Sequence, residues 1–132
     1  MKALLIAAIL QIGALLVSSA VAAPHADVKE LMTKALADHP GKEAQMLVVT
    51  YPPNGADEVH RHDAHAFVYV LEGSIVMQLK GAAPVTVKAG ETFYEGPHDI
   101  HVVGRNASST ETARFVVLLI KNQGAPLFTP VK

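Results

Sequence analysis

The chain has 132 residues, 11 Lys and Arg against 12 Asp and Glu, a formal charge of −1 and no cysteine. This length suits one domain, and the near-neutral charge lacks the basic footprint of a nucleic-acid binder. Without cysteine, disulfides, thiolate metal ligands and thiol nucleophiles are all excluded.

Taken in chain order, the first feature is a leader. Met1-Lys2 supplies one positive charge, Ala3 to Val17 is apolar apart from Gln11 and Gly13, and Ser18 to Ala22 are small residues with A-x-A spacing. That pattern predicts a secretory signal peptide over residues 1–22, cleaved after Ala22. The apolar run is shorter than the roughly 20 residues a spanning helix needs, so we expect a periplasmic or secreted protein with no stable membrane insertion. Cleavage removes only Lys2 among the charged residues, leaving ten basic side chains against twelve acidic and a formal charge of −2.

Residues 23–41 form an N-terminal segment. Within Asp27 to Ala37, Val28, Leu31, Met32 and Leu36 recur every three to four residues, which predicts one short amphipathic helix with Asp27 as N-cap. Asp38-His39-Pro40-Gly41 ends it. From residue 42 to 132 the pattern is all β. Gln45–Tyr51, Ala66–Leu71, Ser74–Leu79, Val85–Val87, Thr92–Tyr94 and Ala113–Ile120 are short runs rich in Val, Ile, Tyr and Phe, separated by Gly, Pro and Asn turns. Short strands at close spacing predict a sandwich or barrel. The last segment is the tail from Asn122.

 It holds Pro126 and Pro130, so we expect a coil that lies across the barrel surface or pairs at an edge.

Five of the seven histidines fall within residues 60–101. His60 and His62 sit two apart as a strand begins, and alternation puts residues i and i+2 on one face. His101 follows a turn at the start of another β-like stretch. Imidazole suits Zn, Cu, Fe, Ni and, less tightly, Mn. Three imidazoles at one end of a barrel leave coordination positions open, as in reactive sites and unlike closed structural ones. An H-x-H pair in a loop is also, on spacing alone, ordinary polar surface. The same parity sends Ala66, Val68 and Val70 into the barrel and turns Phe67, Tyr69 and Leu71 outward, toward solvent or a neighbouring subunit. Phe93 and Tyr94 take opposite faces.

Residues 55–73, GADEVHRHDAHAFVYVLEG, resemble the first motif of the cupins, G-x(5)-H-x-H-x(3,4)-E-x(6)-G, with four residues after the first glycine in place of five. Residues 90–106, GETFYEGPHDIHVVGRN, resemble the second, G-x(5)-P-x-G-x(2)-H-x(3)-N, with Gly96 and His98 at its proline and second-glycine positions and Asn106 one residue late. The resemblance covers roughly Gln45 to Ile120. It implies an all-β double-stranded β-helix, a jelly-roll barrel, preceded here by the short helix. It also implies one divalent transition metal per chain (Fe, Mn, Zn, Ni or Cu), held by His60, His62 and His101, and a homodimer paired through the outer faces of Phe67, Tyr69 and Val116–Ile120.

One departure matters most. The family's glutamate ligand falls at Ala66, which cannot ligate. Parity points His65 to the outer face, although a re-phasing at Asp63-Ala64 would bring it in; Glu58, Glu95 and His98 are further candidates. A three-histidine site without carboxylate is the plainest expectation, with a more cationic metal that favours an anionic substrate. No general acid or base is evident from sequence, so the catalytic residues are unassigned. Three functions are open: a metal-dependent oxygenase or isomerase acting on a small organic acid or carbonyl compound, a non-catalytic metal- or small-molecule-binding module of the cell envelope, and a metal-free barrel. G-x-S-x-G, Walker, G-x-G-x-x-G, H-x-E and H-E-x-x-H segments are all missing from the sequence, which leaves acyl transfer, nucleotide chemistry and the common zinc hydrolases without their parts.

Overall fold

The computed structural model describes residues 22–132, so the expected signal peptide lies outside the described residues except for Ala22. In chain order the strands are β1 (Asp27–Ala35), β2 (Lys42–Tyr51), β3 (His60–Arg61), β4 (His65–Glu72), β5 (Ser74–Leu79), β6 (Val85–Lys88), β7 (Thr92–Glu95), β8 (His101–Asn106), β9 (Ala113–Asn122) and β10 (Thr129–Pro130). They form two five-stranded sheets, ordered β1-β2-β9-β4-β7 and β10-β3-β8-β5-β6. Neighbouring strands within each sheet run antiparallel. All six expected strand runs lie inside observed strands. The tail is paired at an edge, Thr129 opposite Arg61 and Pro130 opposite His60.

The expected N-terminal helix is not formed; Asp27–Ala35 is strand β1, hydrogen-bonded along the edge of β2. Its register shifts between Glu30 and Met32, a bulge that places one extra residue, Leu31, out of the two-residue alternation. The bulge explains why the apolar spacing imitates a helix. A strand interrupted once by an odd residue shows intervals of three and four, the same intervals that an amphipathic helix shows. Pairing with the long free edge of β2 then satisfies the backbone without any helix. Every residue of β1 is exposed, so the strand extends the sheet beyond the core.

Burial elsewhere follows period two. Along β4 it alternates from exposed His65 through buried Ala66, Val68 and Val70, with Phe67, Tyr69 and Leu71 outside. β9 buries Phe115, Val117 and Leu119 on the same rule. These side chains meet Leu47 and Val49 of β2 and Ile75 and Met77 of β5 in one apolar cluster between the sheets. Burial of this apolar area is the main favourable term for the barrel. The β4–β5 turn needs its glycine: Gly73 has φ +70, and a Cβ there would lie 2.7 Å from the Thr112 carbonyl oxygen.

Asn106, at the end of β8, closes the base of the barrel. Its buried amide nitrogen donates to the carbonyls of Tyr51 at 3.2 Å, Pro52 at 3.0 Å and Glu111 at 2.7 Å, and its oxygen accepts from the Ser108 amide at 2.9 Å. One side chain therefore joins the end of β2 to the β8–β9 connection. Alanine would leave several of these backbone groups without partners, each costing about 1–3 kcal/mol when buried. Asn106→Ala is expected to lower stability by roughly 2–4 kcal/mol, checked by urea unfolding; a loss below 1 kcal/mol would show that water replaces the amide.

Candidate metal centre

The mouth of the barrel collects polar side chains from both sheets. His60 of β3 and His101 of β8 stand directly opposite each other in the ladder. His62 follows β3 on the same parity as His60. Glu95, the last residue of β7, enters from the other sheet, where it pairs with Ala66 of β4. One ligand-type atom from each of His60, His62, Glu95 and His101 lies within 4.8 Å of all the others. The parity of residues 60–70 is unbroken although Asp63 adopts φ +49.

The three histidines predicted from sequence are thus brought together. The expected site without carboxylate is corrected: Glu95 supplies one. Ala66, at the position where the family's motif has its glutamate, faces Glu95 across the ladder, and directly opposed residues lie only about 5 Å apart at Cβ. The carboxylate has moved one strand sideways. His65 does not take its place; it is exposed on the outer face, where its Nδ1 and the Tyr94 hydroxyl are 2.7 Å apart. Glu58 and His98 are exposed and stand outside the cluster. Phe93 packs against the core while Tyr94 stays outside.

Hydrogen bonds fix how the imidazoles point. His60 Nδ1 lies 2.8 Å from the Glu58 carbonyl oxygen, and His62 Nδ1 lies 2.8 Å from that of Leu127. A carbonyl only accepts, so each Nδ1 carries the hydrogen and each neutral ring presents a bare lone pair at Nε2. Those two Nε2 atoms are 3.1 Å apart. Two lone pairs at that separation repel unless a proton or a metal ion lies between them. Both nitrogens of His101 and Glu95 Oε2 are buried without a hydrogen-bond partner, a costly condition for groups taken out of water. The Glu95 oxygens approach His62 Nε2 at 3.7 Å and His101 Nδ1 at 3.5 Å, too far for hydrogen bonds. A divalent cation would satisfy one nitrogen of each imidazole and one Glu95 oxygen, and three nitrogens with one carboxylate oxygen is a donor set that transition metals accept.

The electrostatics agree. Burial, reinforced by nearby Asp99 and Asp57, pushes the Glu95 carboxyl up to about 7. Burial first, and then the neighbouring His60 and His62, pulls His101 down to about 4. Burial likewise lowers His62, against its bond to the Leu127 carbonyl. The cluster therefore resists any net charge of its own, of either sign.

Close packing holds His101 in place. A Cβ at Gly104 would lie 2.8 Å from His101 Cε1 and 3.1 Å from Tyr51 Oη, so only glycine leaves room for the ring. The Phe128 ring stands over His60 at 5.3 Å between centroids. Behind the cluster a cavity of about 220 Å³ runs into the barrel, walled chiefly by apolar side chains such as Val49, Val68, Met77 and Phe115. Leu127 and Phe128 from the tail and His25 and Ala26 from the N-terminal segment also line it.

The family model described as "Cupin domain" matches residues 47–119. The chain belongs to the cupin domain family. No curated protein matches it by sequence. Among solved structures it resembles a cupin domain from Bordetella pertussis Tohama I (20% identity, TM-score 0.60, covering 77% of this chain and 99% of that one). It also resembles an oxalate oxidase in complex with the substrate analogue glycolate (25%, 0.62, covering 80% and 55%). The DMSP lyase DddQ from Ruegeria pomeroyi DSS-3 is similar too (17%, 0.58, covering 67% and 43%). This cupin spans less than half of the lyase and just over half of the oxidase.

Ligation of a metal by Glu95 would require its carboxylate form, so the raised pKa sets a proton count. Below the unfolded value of 4.5 the protonated carboxyl suits its buried site, and that advantage fades as pH rises through about 7. Metal binding at pH 6 should therefore release close to one proton, and at pH 8 close to none, since His101 is already neutral at both. Calorimetry of Zn(II) binding in two buffers of different ionisation enthalpy measures this; a proton count near zero at pH 6 would remove Glu95 from the ligand set.

Proposed function

We propose that this cupin is an exported, metal-dependent protein of the cell envelope that holds one divalent transition metal through His60, His62, Glu95 and His101. We further propose that it acts on a small organic acid or carbonyl compound as an oxygenase or isomerase. The observation that carries the metal is the pair of imidazole lone pairs facing each other beside the unpartnered atoms of His101 and Glu95. Export rests on the leader pattern of residues 1–22.

Such a metal supplies a Lewis-acid centre that polarises a bound oxygen atom or takes up dioxygen. The chain's own residues prepare the rest. The Glu58 and Leu127 carbonyls orient His60 and His62, and Gly104 lets His101 approach. Four protein ligands leave one or two positions of a five- or six-coordinate ion for a small molecule. The apolar walls keep bulk water from a bound substrate and strengthen polar interactions inside. An oxalate oxidase in complex with the substrate analogue glycolate and a DMSP lyase are similar in fold, and a 220 Å³ cavity has room for a small organic molecule.

Wild type purified from the periplasm should carry close to one equivalent of metal by elemental analysis. His62→Ala and His101→Ala should each lower metal affinity at least about tenfold; an unchanged metal load in both would refute the centre. With metal in place, oxygen uptake or product formation across dicarbonyls, catechols and keto acids tests turnover, and silence throughout would identify a binding module.

The outer face of the first sheet exposes Phe67, Tyr69, Leu71 and Tyr94, each about 45% accessible. A contiguous apolar face of this kind supports self-association into the homodimer that the family resemblance implies. Light scattering should give twice the chain mass for wild type and the monomer mass for Phe67→Lys/Tyr69→Lys; a monomeric wild type would overturn this part.

A further inference from the structure

Beside the four ligands, the cavity holds a second polar group with no part in metal binding. The Tyr51 hydroxyl donates to Asp57 Oδ2, and no other side-chain hydrogen bond engages Asp57 among the described residues. Both residues line the cavity. Tyr51 is fully buried and Asp57 half-buried, so this is an interior pair. Asp57 is also fixed through its backbone, whose amide donates to the Gly104 carbonyl at 2.8 Å. Gly104 is where pair and metal centre meet: the point 3.1 Å from Tyr51 Oη is also 3.1 Å from His101 Nε2.

The donor in this pair is settled by the phenol. Burial first, and then the adjacent Asp57, holds Tyr51 far above the usual phenol range, so Tyr51 keeps its proton and Asp57 accepts it as a hydrogen bond. Oδ2 is therefore occupied and Oδ1 is free to accept a second hydrogen bond. No side-chain or backbone group among the described residues hydrogen-bonds to Oδ1, which leaves it for a ligand or water.

Charge decides what kind of ligand fits. With neutral imidazoles, a divalent cation is balanced by the interior carboxylates of Glu95 and Asp57, the third carboxylate of the lining, Glu58, being exposed to solvent. A simple anion bound at the metal would leave the cavity with one uncompensated negative charge, which its low-dielectric walls penalise. A zwitterion adds none. Its carboxylate would meet the metal and its cationic donor would meet Asp57. An apolar cavity of 150 Å³ accepts a six-carbon ring, so 220 Å³ accommodates a compact molecule of roughly six to nine heavy atoms.

We propose that Asp57, braced by Tyr51, is a second anchor in the cavity, and that the protein binds small amino carboxylates, carboxylate at the metal and ammonium at Asp57 Oδ1. This rests on the metal reading above, but its test separates the two. Aspartate selects by accepting the ammonium hydrogen bond; an alkyl group of equal size offers it nothing and leaves the carboxylate unpaired.

Cobalt(II)-loaded protein is titrated with 3-aminopropanoate, 4-aminobutanoate and 5-aminopentanoate, and with the alkanoates in which methyl replaces ammonium, following the cobalt absorption bands. At least one amino carboxylate should bind about tenfold or more tightly than its alkanoate partner, the span of one charge-assisted hydrogen bond. Asp57→Asn should bring the two within about twofold while cobalt content and the ligand-free spectrum stay as in wild type. Tyr51→Phe, which keeps the carboxylate but removes its brace, should lose several-fold of the preference at full cobalt content. Equal binding of each pair by wild type, or a preference that survives Asp57→Asn, overturns the second anchor and leaves the metal centre standing. Loss of cobalt from Asp57→Asn also overturns it, because Asp57 would then act on the metal. Failure of wild type to take up cobalt or any other divalent transition metal removes both readings together.

Discussion

The barrel mouth is shaped by a conflict between burial and polarity. Antiparallel pairing places His60 opposite His101 in one sheet and Ala66 opposite Glu95 in the other. Those registers are set by the apolar alternation of the whole strands, because a one-residue slip would turn every core side chain to solvent. The pattern that buries Val68, Val70, Phe115 and Val117 therefore also fixes where four polar side chains end up. They end up facing one another, with both nitrogens of His101 and one oxygen of Glu95 left without partners. Desolvated groups of this kind cost roughly 1–3 kcal/mol each when unpaired, which is large against the stability of a domain of this size. A cation at their centre resolves the conflict for all four at once, and it ties strands from both sheets together.

The position of the carboxylate shows that a ligand set belongs to a point in space and not to a place in one strand. Alanine at residue 66 leaves the space beside its methyl open, and Glu95 reaches into it from the next strand. An antiparallel neighbour is the nearest alternative source for any inward side chain, since opposed Cβ atoms are closer than those two residues apart on one strand. The change of strand also changes the second sphere. Glu95 ends β7 immediately before the Gly96–Asp99 turn, where the Gly96 amide donates to Asp99 at 2.6 Å, and that nearby carboxylate helps to raise Glu95.

This geometry explains which parts were legible in the sequence. Period two along residues 60–70 is a local property, so the shared face of His60 and His62 and the outward turn of His65 follow from counting. His101 was found through its motif. By sequence Glu95 is one candidate among four, because choosing it requires knowing that β7 pairs with β4 and in which register. Such pairing joins residues about 30 positions apart and leaves no periodic trace in either strand. The N-terminal segment differs from its expected helix for another reason: a single bulge at Leu31 gives a strand the intervals of a helix, and the edge of β2 that stabilises it is invisible locally. The Leu127 carbonyl that orients His62 is a backbone atom, so its role carries no side-chain signature at all.

The same distinction separates the two kinds of work done at the mouth. Orientation of the imidazoles comes from main-chain carbonyls at Glu58 and Leu127 and from the missing Cβ at Gly104. These features hold the rings without adding charge. Of the three carboxylates on the lining, Glu95 and Asp57 lie inside and Glu58 is exposed, while the walls are chiefly apolar. A site organised in this way would keep its metal geometry largely independent of what binds beside it, because main-chain carbonyls aim the ligands whereas a substrate meets side chains. Changes at Val68, Met77 or Phe115 can then reshape the cavity while the coordinating atoms stay in register. That separation is a physical reason why one barrel can serve small molecules as different as those handled by proteins of similar fold.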